Sequence, residues 1–198
     1  MKPLQLSKPH IIVMVGIPGS GKSFFAEHFA NTFNASCVSY KTICHNVFTA
    51  PARTDFEKTT VHRVADYMLE ELLKTNQTII FDGPTDTQTD RLSIAKLARS
   101  AGYEPLLVWV QTESMAAKAR ATKKSKDNSQ LSAEQFDNRV KHFTPPKAAE
   151  RVVVISGKHT YASQLKIVLK HLVEPRIDAV DQHAHNLRSA EGRRIIIR

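Results

Sequence analysis

The chain has 198 residues, of which 41% are hydrophobic, which suits a single domain with a full core. No apolar run is long enough to cross a bilayer, and no hydrophobic segment precedes Ile11, so we expect a cytoplasmic protein without a secretory signal. The formal net charge of +9 favours an anionic partner such as a nucleotide, RNA, DNA or an acidic surface; a surface kept soluble by lysine is the alternative explanation.

Apolar runs and helical patterns alternate along the chain. We predict strands at 11–15, 37–39, 77–81, 106–110 and 152–155. We predict a first helix at 24–33, and a second that starts at a capping signal at 54–57 and continues through residue 73. A third should start at a second capping signal at 87–90 and continue to about 101, with Gly102 as its C-cap. Three more are predicted after a cap at Thr112, from 132 to about 143, and through 165–173. This alternation predicts βαβ units, a parallel sheet and helices on both of its faces.

The chain divides at Pro175. Residues 1–174 are expected to form one nucleotide-binding domain, in which the polar, basic stretch 123–129 is a mobile loop. Residues 175–198 form a basic tail that ends in RRIIIR and is either flexible or packed on the outside. The three isoleucines of that ending are alternatively an added edge strand or a segment that docks a partner.

Two cysteines, Cys37 and Cys44, are too few for a disulfide scaffold and fit a reducing compartment. Cys44 precedes His45, which raises the possibility of a metal site, but no second cysteine pair completes a zinc site.

The stretch GIPGSGKS, residues 16–23, matches the pattern G-x-x-x-x-G-K-[ST] between a predicted strand and a predicted helix. Glycines let successive backbone N–H groups point at a phosphate, and the start of a helix adds unpaired donors and partial positive charge. Lys22 can reach the β- and γ-phosphates, and the Ser23 hydroxyl can bind Mg²⁺. The predicted nucleotide-binding residues are Gly16, Ile17, Pro18, Gly19, Ser20, Gly21, Lys22, Ser23 and Phe24.

Asp82 ends a later apolar strand, so its carboxylate should face the same sheet edge as the phosphate loop and hold Mg²⁺ through water. A surface aspartate that begins a turn is the alternative. Gly83 follows Asp82, at a place where motor-type ATPases often carry a water-activating glutamate, which disfavours a motor or helicase.

Five stretches together resemble the small P-loop kinases of the polynucleotide-kinase and zeta-toxin type, which carry an AAA-type ATP-binding domain; gluconate and adenylylsulfate kinases are more distant relatives. The stretches are GIPGSGKS, IIFDG, the pair Asp90-Arg91, KARATK (118–123) and FTPPKAAERVVVISG (143–157), and the resemblance spans about residues 11–173. It implies a P-loop NTPase fold with a five-stranded, mostly parallel sheet between helices, and transfer of the γ-phosphate of ATP, with Mg²⁺, to a hydroxyl.

The resemblance also assigns roles to two arginines. It implies a lid near 118–131 whose Arg120 covers the phosphates and acts with Lys22 and Asp82 in catalysis; ending a helix favourably is the alternative role of Arg120. It places Arg91 near the acceptor, whereas pairing with a carboxylate is the alternative for that residue. Lys123, Lys124 and Lys126 either form a solvated face or attract an anionic acceptor.

One position departs from the resemblance. The kinases it resembles commonly carry a motif like S-R-D-D after the second strand, and one aspartate there accepts the proton of the attacking hydroxyl. This chain has Ser39-Tyr40-Lys41-Thr42, and the next acid is Asp55, beyond a predicted helix. A lysine cannot act as a base at neutral pH unless its pKa is strongly lowered. One explanation is that Asp82, Asp86 or Asp90 supplies the base. Another is that positioning of the reactants accounts for most of the rate, so that a base adds little. A third is that the chain transfers nothing to an alcohol and Lys41 only contacts an anionic ligand.

Three functions follow from these residues. The first is a kinase that phosphorylates a hydroxyl of an anionic acceptor: a nucleic-acid end, a nucleoside or a small metabolite. The second is a nucleotide-binding regulatory module or an ATPase without an alcohol acceptor, with the tail as its partner contact. The third is a toxin-like kinase acting on a nucleotide sugar. No stacked-aromatic RNA-binding signature supports nucleic acid, since aromatic residues are only 7% of the chain.

Overall fold

The computed structural model describes residues 6, 8–49, 51–52, 54–124 and 130–173. Five strands run through these ranges: β1 (His10–Val15), β2 (Ser36–Ser39), β3 (Ile79–Asp82), β4 (Glu104–Gln111) and β5 (Val152–Ser156). The α-helices are α1 (Lys22–Phe33), α2 (Tyr40–Val47), α3 (Asp55–Leu73), α4 (Gln88–Ser100), α5 (Ser114–Ala121), α6 (Ala133–His142) and α7 (Tyr161–Val173), and a 3₁₀ turn covers Ala148–Glu150. The predicted tail 175–198 and residues 125–129 of the predicted loop lie outside the described residues.

The five strands form one sheet in the order β2-β3-β1-β4-β5, and all four neighbouring pairs are parallel. The predicted α/β fold of the P-loop NTPase type is therefore confirmed. The chain moves from β1 to one side of the sheet, through β2 and β3, and then to the other side, through β4 and β5. Such a change of direction opens a crevice at the carboxyl end of the first strand, where ligands bind in open α/β sheets. The loop that starts at residue 16, directly after β1, lies at this crevice.

Each face of the sheet has its own hydrophobic core. Successive side chains of a strand point to opposite faces, so Ile11 and Val13 of β1 pack with α3 while Ile12 and Met14 pack with α1 and α7. All of β1 is buried, which explains why its sequence is an unbroken apolar run rather than an alternating one. The central strand thus gives the following loop a rigid base.

Local capping chemistry sets several helix starts. The hydroxyls of Thr54, Thr87 and Ser132 each complete a capping box, as α3, α4 and α6 begin. The predicted cap at Thr112 is wrong, because α5 begins after Glu113 with no side-chain cap, and the Thr112 hydroxyl donates to the carbonyl of Ser20 instead. A contact 92 residues distant in sequence thus replaces a local cap.

None of the helices within the described ranges is both long enough and apolar enough to cross a membrane.

Candidate functional site

The sequence GIPGSGKS forms the loop between β1 and α1, at the crevice of the sheet. Gly16, Gly19 and Gly21 have φ values of +144°, +73° and +112°, which side-chain-bearing residues rarely adopt. Gly21 is the N-cap of α1, so the free amides of the first helical turn face the loop. This is the backbone arrangement that binds phosphate groups.

Two of these glycines are also required by close packing. A Cβ on Gly16 would come within 2.7 Å of the carbonyl oxygen of Val110 in β4. A Cβ on Gly19 would overlap the carbonyl oxygen of Ala117 in α5. Helix α5 therefore lies directly against the phosphate loop, and it can do so only because residue 19 has no side chain.

The Lys22 ammonium lies over the same loop. Its Nζ donates to the carbonyl oxygens of Gly16, at 2.6 Å, and Ile17, at 3.1 Å. Desolvation by the surrounding protein lowers the pKa of Lys22 to about 8, while the charges of Asp82 and Asp86 oppose this shift. No carboxylate of the described residues bonds to this cation, which is therefore suited to receive the charge of a polyphosphate.

Asp82 and Ser23 meet at the floor of the site. The Ser23 hydroxyl donates to Oδ2 of Asp82 at 2.6 Å, although the two residues are 59 apart in sequence. Asp82 ends β3 and is only 7% exposed. The sequence places these two residues on different elements, and the parallel register of β1 and β3 brings them together.

The oxygen pair of Ser23 and Asp82 fits a magnesium ion, which prefers one or two protein oxygens together with substrate phosphates over a cage made only of protein. The described residues contain no group of three or more His, Cys, Asp or Glu side chains that could hold a metal ion. The Oγ of Ser20 is buried and has no hydrogen-bond partner among the described residues, so the loop retains an unused polar atom. These features fit Mg²⁺ and a nucleotide.

The other loop residues line the edges of the site. Pro18 is buried, whereas Ile17 borders a cavity of about 490 Å³ whose walls also include Trp109, Thr112, Phe143, Ser156 and Lys158. Phe24 is 51% exposed, and its ring lies 4.1 Å from that of His28. A larger cavity, of about 710 Å³, lies away from the loop between α4 and the start of β4.

Arg120, the predicted lid arginine, lies in α5. It occupies the last turn of α5, the helix that packs on Gly19, and its Nη1 donates to the carbonyl oxygen of Gly157 after β5 at 3.2 Å. Lys118 of the same helix pairs with Asp137 of α6 at 2.7 Å. The predicted lid segment thus begins as a helix beside the phosphate loop, and its role over the phosphates stays a prediction.

Arg91 pairs with a carboxylate, which is the alternative predicted for it. Its side chain is fully buried and forms a two-bond pair with Glu150, with Nε–Oε2 and Nη2–Oε1 distances of 2.7 and 3.0 Å. Its Nη1 also donates to the carbonyl oxygens of Thr85 and Thr144. A guanidinium occupied in this way holds three segments together, so the expected acceptor contact of Arg91 is not what its described surroundings indicate.

Lys41 is exposed and occupies the first turn of α2, directly after β2. A cation is unfavourable at a helix N-terminus, so its presence there calls for an anionic neighbour or ligand. The adjacent Tyr40 hydroxyl is 3.0 Å from Nδ1 of His62 in α3. The acceptor role predicted for Lys41 stays open on this geometry.

Sequence reasoning missed one ion pair near the phosphate loop. Arg139 of α6 donates through Nη2 to Oδ2 of Asp86 at 2.8 Å. Both charges lie close enough to act on the pKa of Lys22. The only sequence signal was the position of Asp86 four residues after Asp82, since Arg139 belongs to a helix whose location over the site depends on the tertiary fold.

A family model described as an AAA domain matches residues 11–146, which is more than half of the chain. The chain belongs to this AAA domain family. The match contains the phosphate loop, Asp82, α5 and Arg139, and it confirms the resemblance to small P-loop kinases. No curated protein sequence matches significantly.

Solved structures share the fold of this AAA domain. A candidate kinase from Chloroflexus aurantiacus J-10-fl has a TM-score of 0.67 at 14% identity, over 83% of this chain and 96% of that one. A gluconokinase from Sinorhizobium meliloti 1021 has a TM-score of 0.60 at 15% identity, over 94% and 99%. A chain of the Pnkp1/Rnl/Hen1 RNA repair complex has a TM-score of 0.59 at 18% identity, over 68% and 44%. At sequence identities of 14%, 15% and 18%, these similarities show a shared fold and nothing more.

We expect Gly19→Ala to weaken ATP binding at least about tenfold, which corresponds to about 1.4 kcal/mol. The added methyl group would collide with α5 and force the phosphate loop and the helix apart. Gly102→Ala is the matched control, because Gly102 has a φ of +80° but open space around its Cβ position. Titration of a fluorescent ATP analogue should show the loss for Gly19→Ala alone; equal affinities would contradict the close packing.

We expect Arg91→Met to lower the free energy of unfolding by about 3–5 kcal/mol, because it leaves the carboxylate of Glu150 buried without its partner. Arg99→Met, at an exposed position of the same helix, should change it by less than about 0.5 kcal/mol. Urea denaturation measures both differences.

The same pair gives a pH dependence. Hydrogen bonds from Arg91 hold the pKa of Glu150 below its ordinary value of 4.5, against the opposing effect of burial. Its contribution to stability is therefore fully present above pH 4.5 and is lost as the pH falls through the lower value of the folded protein. If the Arg91→Met variant were as stable as the parent at neutral pH, the Arg91–Glu150 pair would not be holding the surrounding segments together.

Proposed function

We propose that this chain is an ATP-dependent kinase that transfers the γ-phosphate, with Mg²⁺, to a hydroxyl group of an anionic acceptor. The observation that carries the proposal is the convergence of Lys22, Ser23 and Asp82 at a loop whose glycines have positive φ. Phosphoryl transfer requires little covalent chemistry from a protein, so positioning and charge stabilisation are the main tasks, and these residues are suited to both.

Each residue has a task in this proposal. The loop amides and the start of α1 bind the β- and γ-phosphate oxygens, and Lys22 leaves its carbonyl contacts to donate to the same oxygens. Ser23 and Asp82 hold the magnesium ion, which neutralises charge that develops between the phosphates. Arg120, at the end of α5, is close enough to the loop after β5 to cover the nucleotide.

The acceptor class is supported by charge and by the named relatives of the fold. A net charge of +9 favours an anionic compound. One structural neighbour is a gluconokinase and another belongs to an RNA repair complex, so acidic sugars and nucleic-acid ends are both reasonable acceptors to test. Lys41, exposed at the start of α2, is in a position to attract such a compound.

A second candidate function is favoured by Lys41 itself. Because a lysine follows β2 where the kinases that this chain resembles carry an aspartate, the protein is alternatively a nucleotide-binding regulatory module or an ATPase without an alcohol acceptor. In that case Lys41 contacts an anionic ligand, and hydrolysis releases phosphate to water.

The experiment is a label-transfer assay. The protein is incubated with Mg²⁺, ATP labelled in the γ-phosphate, and a panel that contains gluconate, nucleosides and RNA and DNA oligonucleotides with 5′-hydroxyl ends. The kinase proposal expects label on one acceptor class. Free labelled phosphate alone supports the second candidate, and neither product would overturn both.

Two variants test the residues in the same assay. Lys22→Ala should abolish transfer while the fold persists, and Asp82→Asn should lower the Mg²⁺-dependent rate by about 10²-fold or more. Lys96→Ala and Glu70→Gln, at exposed positions of α4 and α3, are the matched controls and should leave the rate unchanged. Full activity of Lys22→Ala would remove the loop from the reaction, and full activity of Asp82→Asn would remove the metal role.

A further inference from the structure

Three carboxylates follow or end β3 on the side of the phosphate loop, and their hydrogen bonds differ. Asp82 accepts from Ser23 and so belongs to the metal side of the site. Asp90 is committed to the capping box of α4, where one of its oxygens accepts from both the backbone amide and the hydroxyl of Thr87. Asp86 is the remaining carboxylate, and it performs no capping.

The backbone around Asp86 is fixed from several directions. The hydroxyl of Thr85 donates to the carbonyl of Met14 in β1, two residues before the phosphate loop. The carbonyl of Asp86 accepts from the amide of Thr144, and buried Arg91 joins Thr85 to Thr144. These hydrogen bonds hold the backbone at Asp86 in a fixed position relative to β1, and a functional side chain requires such a rigid support.

The side chain of Asp86 is oriented but accessible. Arg139 donates to Oδ2, and among the described residues no hydrogen bond to Oδ1 is found. The side chain of Asp86 is 22% exposed and that of Arg139 is 48% exposed, so a ligand can reach both. Their charges act on the pKa of Lys22, together with Asp82, which places the pair beside the phosphate loop.

We propose that Asp86 is the general base of this kinase and that Arg139 positions it. The proposal rests on the proposed function. As the acceptor oxygen forms a bond to the γ-phosphorus, the bond from that phosphorus to the bridging oxygen breaks, and ADP leaves with the electron pair. The hydroxyl proton passes to Oδ1 of Asp86. Arg139 holds the carboxylate turned towards the acceptor through its bond to Oδ2.

This assignment explains how the chain can carry Lys41 after β2. Strands β2 and β3 are neighbours in the parallel sheet, so the segments that follow them meet at the same edge. A base that follows β3 approaches the same acceptor region as a base that follows β2. In this arrangement Lys41 attracts the charge of the acceptor and does not accept its proton.

The test compares Asp86→Asn with Asp90→Asn, which changes the same chemical group in the same segment but only weakens a helix cap. Turnover is measured with the acceptor from the panel above that takes most label, and in parallel with water as acceptor. Asp86→Asn should lower kcat by about 10²–10⁴-fold and leave the KM for ATP within about twofold, while Asp90→Asn keeps kcat.

The pH profile separates a base from a structural residue. The parent should lose activity on the acid side as the base becomes protonated, and Asp86→Asn should lack that acid limb. The charged groups near Asp86 are Arg139, which donates to it, and Lys22, on whose pKa the charge of Asp86 acts. Arg139→Met should therefore lower kcat through loss of the orienting bond and leave the acid limb in place. A structural role would lower stability and leave the limb in place.

The outcomes are distinguishable. If the parent transfers or hydrolyses and Asp86→Asn equals Asp90→Asn in kcat and pH profile, the assignment of Asp86 is overturned while the kinase proposal stands. If the parent neither transfers nor hydrolyses, the proposed function fails and the assignment fails with it. Loss of the acid limb together with the fall in kcat supports both.

Discussion

The shape of the phosphate loop is enforced by backbone packing from three neighbouring segments. Val110 of β4 closes on Gly16, α5 closes on Gly19, and Gly157 after β5 lies against the carbonyl of Ser20. At each contact a methyl group would collide with main-chain atoms, so the loop is a fixed structure rather than a flexible turn. Fixed amide donors bind phosphate without first having to be ordered, which is the energetic advantage of such a site.

A second constraint organises the opposite wall. The buried pair of Arg91 and Glu150 unites the segment after β3, the end of α6 and the turn before β5. Removing one partner of such a pair is costly, because the other is left charged and almost inaccessible to solvent. The pair thereby holds Asp86 and Arg139 beside Lys22 while they remain accessible to a ligand. The structural Arg91–Glu150 pair thus lies next to the Asp86–Arg139 pair, for which a chemical role is proposed.

The features that could be predicted from the sequence are those set by residues close together in the chain. The buried run of β1, the capping signals of α3 and α4, and the glycine pattern before α1 each carry their information within a few residues. The position of Asp82 at the same sheet edge as the phosphate loop was anticipated because parallel strands end at a common edge, whereas its direct hydrogen bond with Ser23 was not.

What remained hidden depends on distant partners. Arg91 and Glu150 are 59 residues apart, and Asp86 and Arg139 are 53 apart, so no local pattern pairs them. Thr112 was predicted to cap α5 because threonine is a favoured cap, but its hydroxyl stabilises the phosphate loop through Ser20. The role expected for Arg91 near an acceptor likewise failed to take account of a carboxylate from the turn before β5.

The most direct test of the account is calorimetric titration of the full chain with ATP, GTP and their diphosphates in the presence of Mg²⁺, with circular dichroism to show that the protein is folded. If the phosphate loop binds a polyphosphate, the titration gives heat from one binding site per chain, and this heat is lost when Lys22 is replaced by alanine. A folded protein that gives no heat with any of the four nucleotides would contradict it.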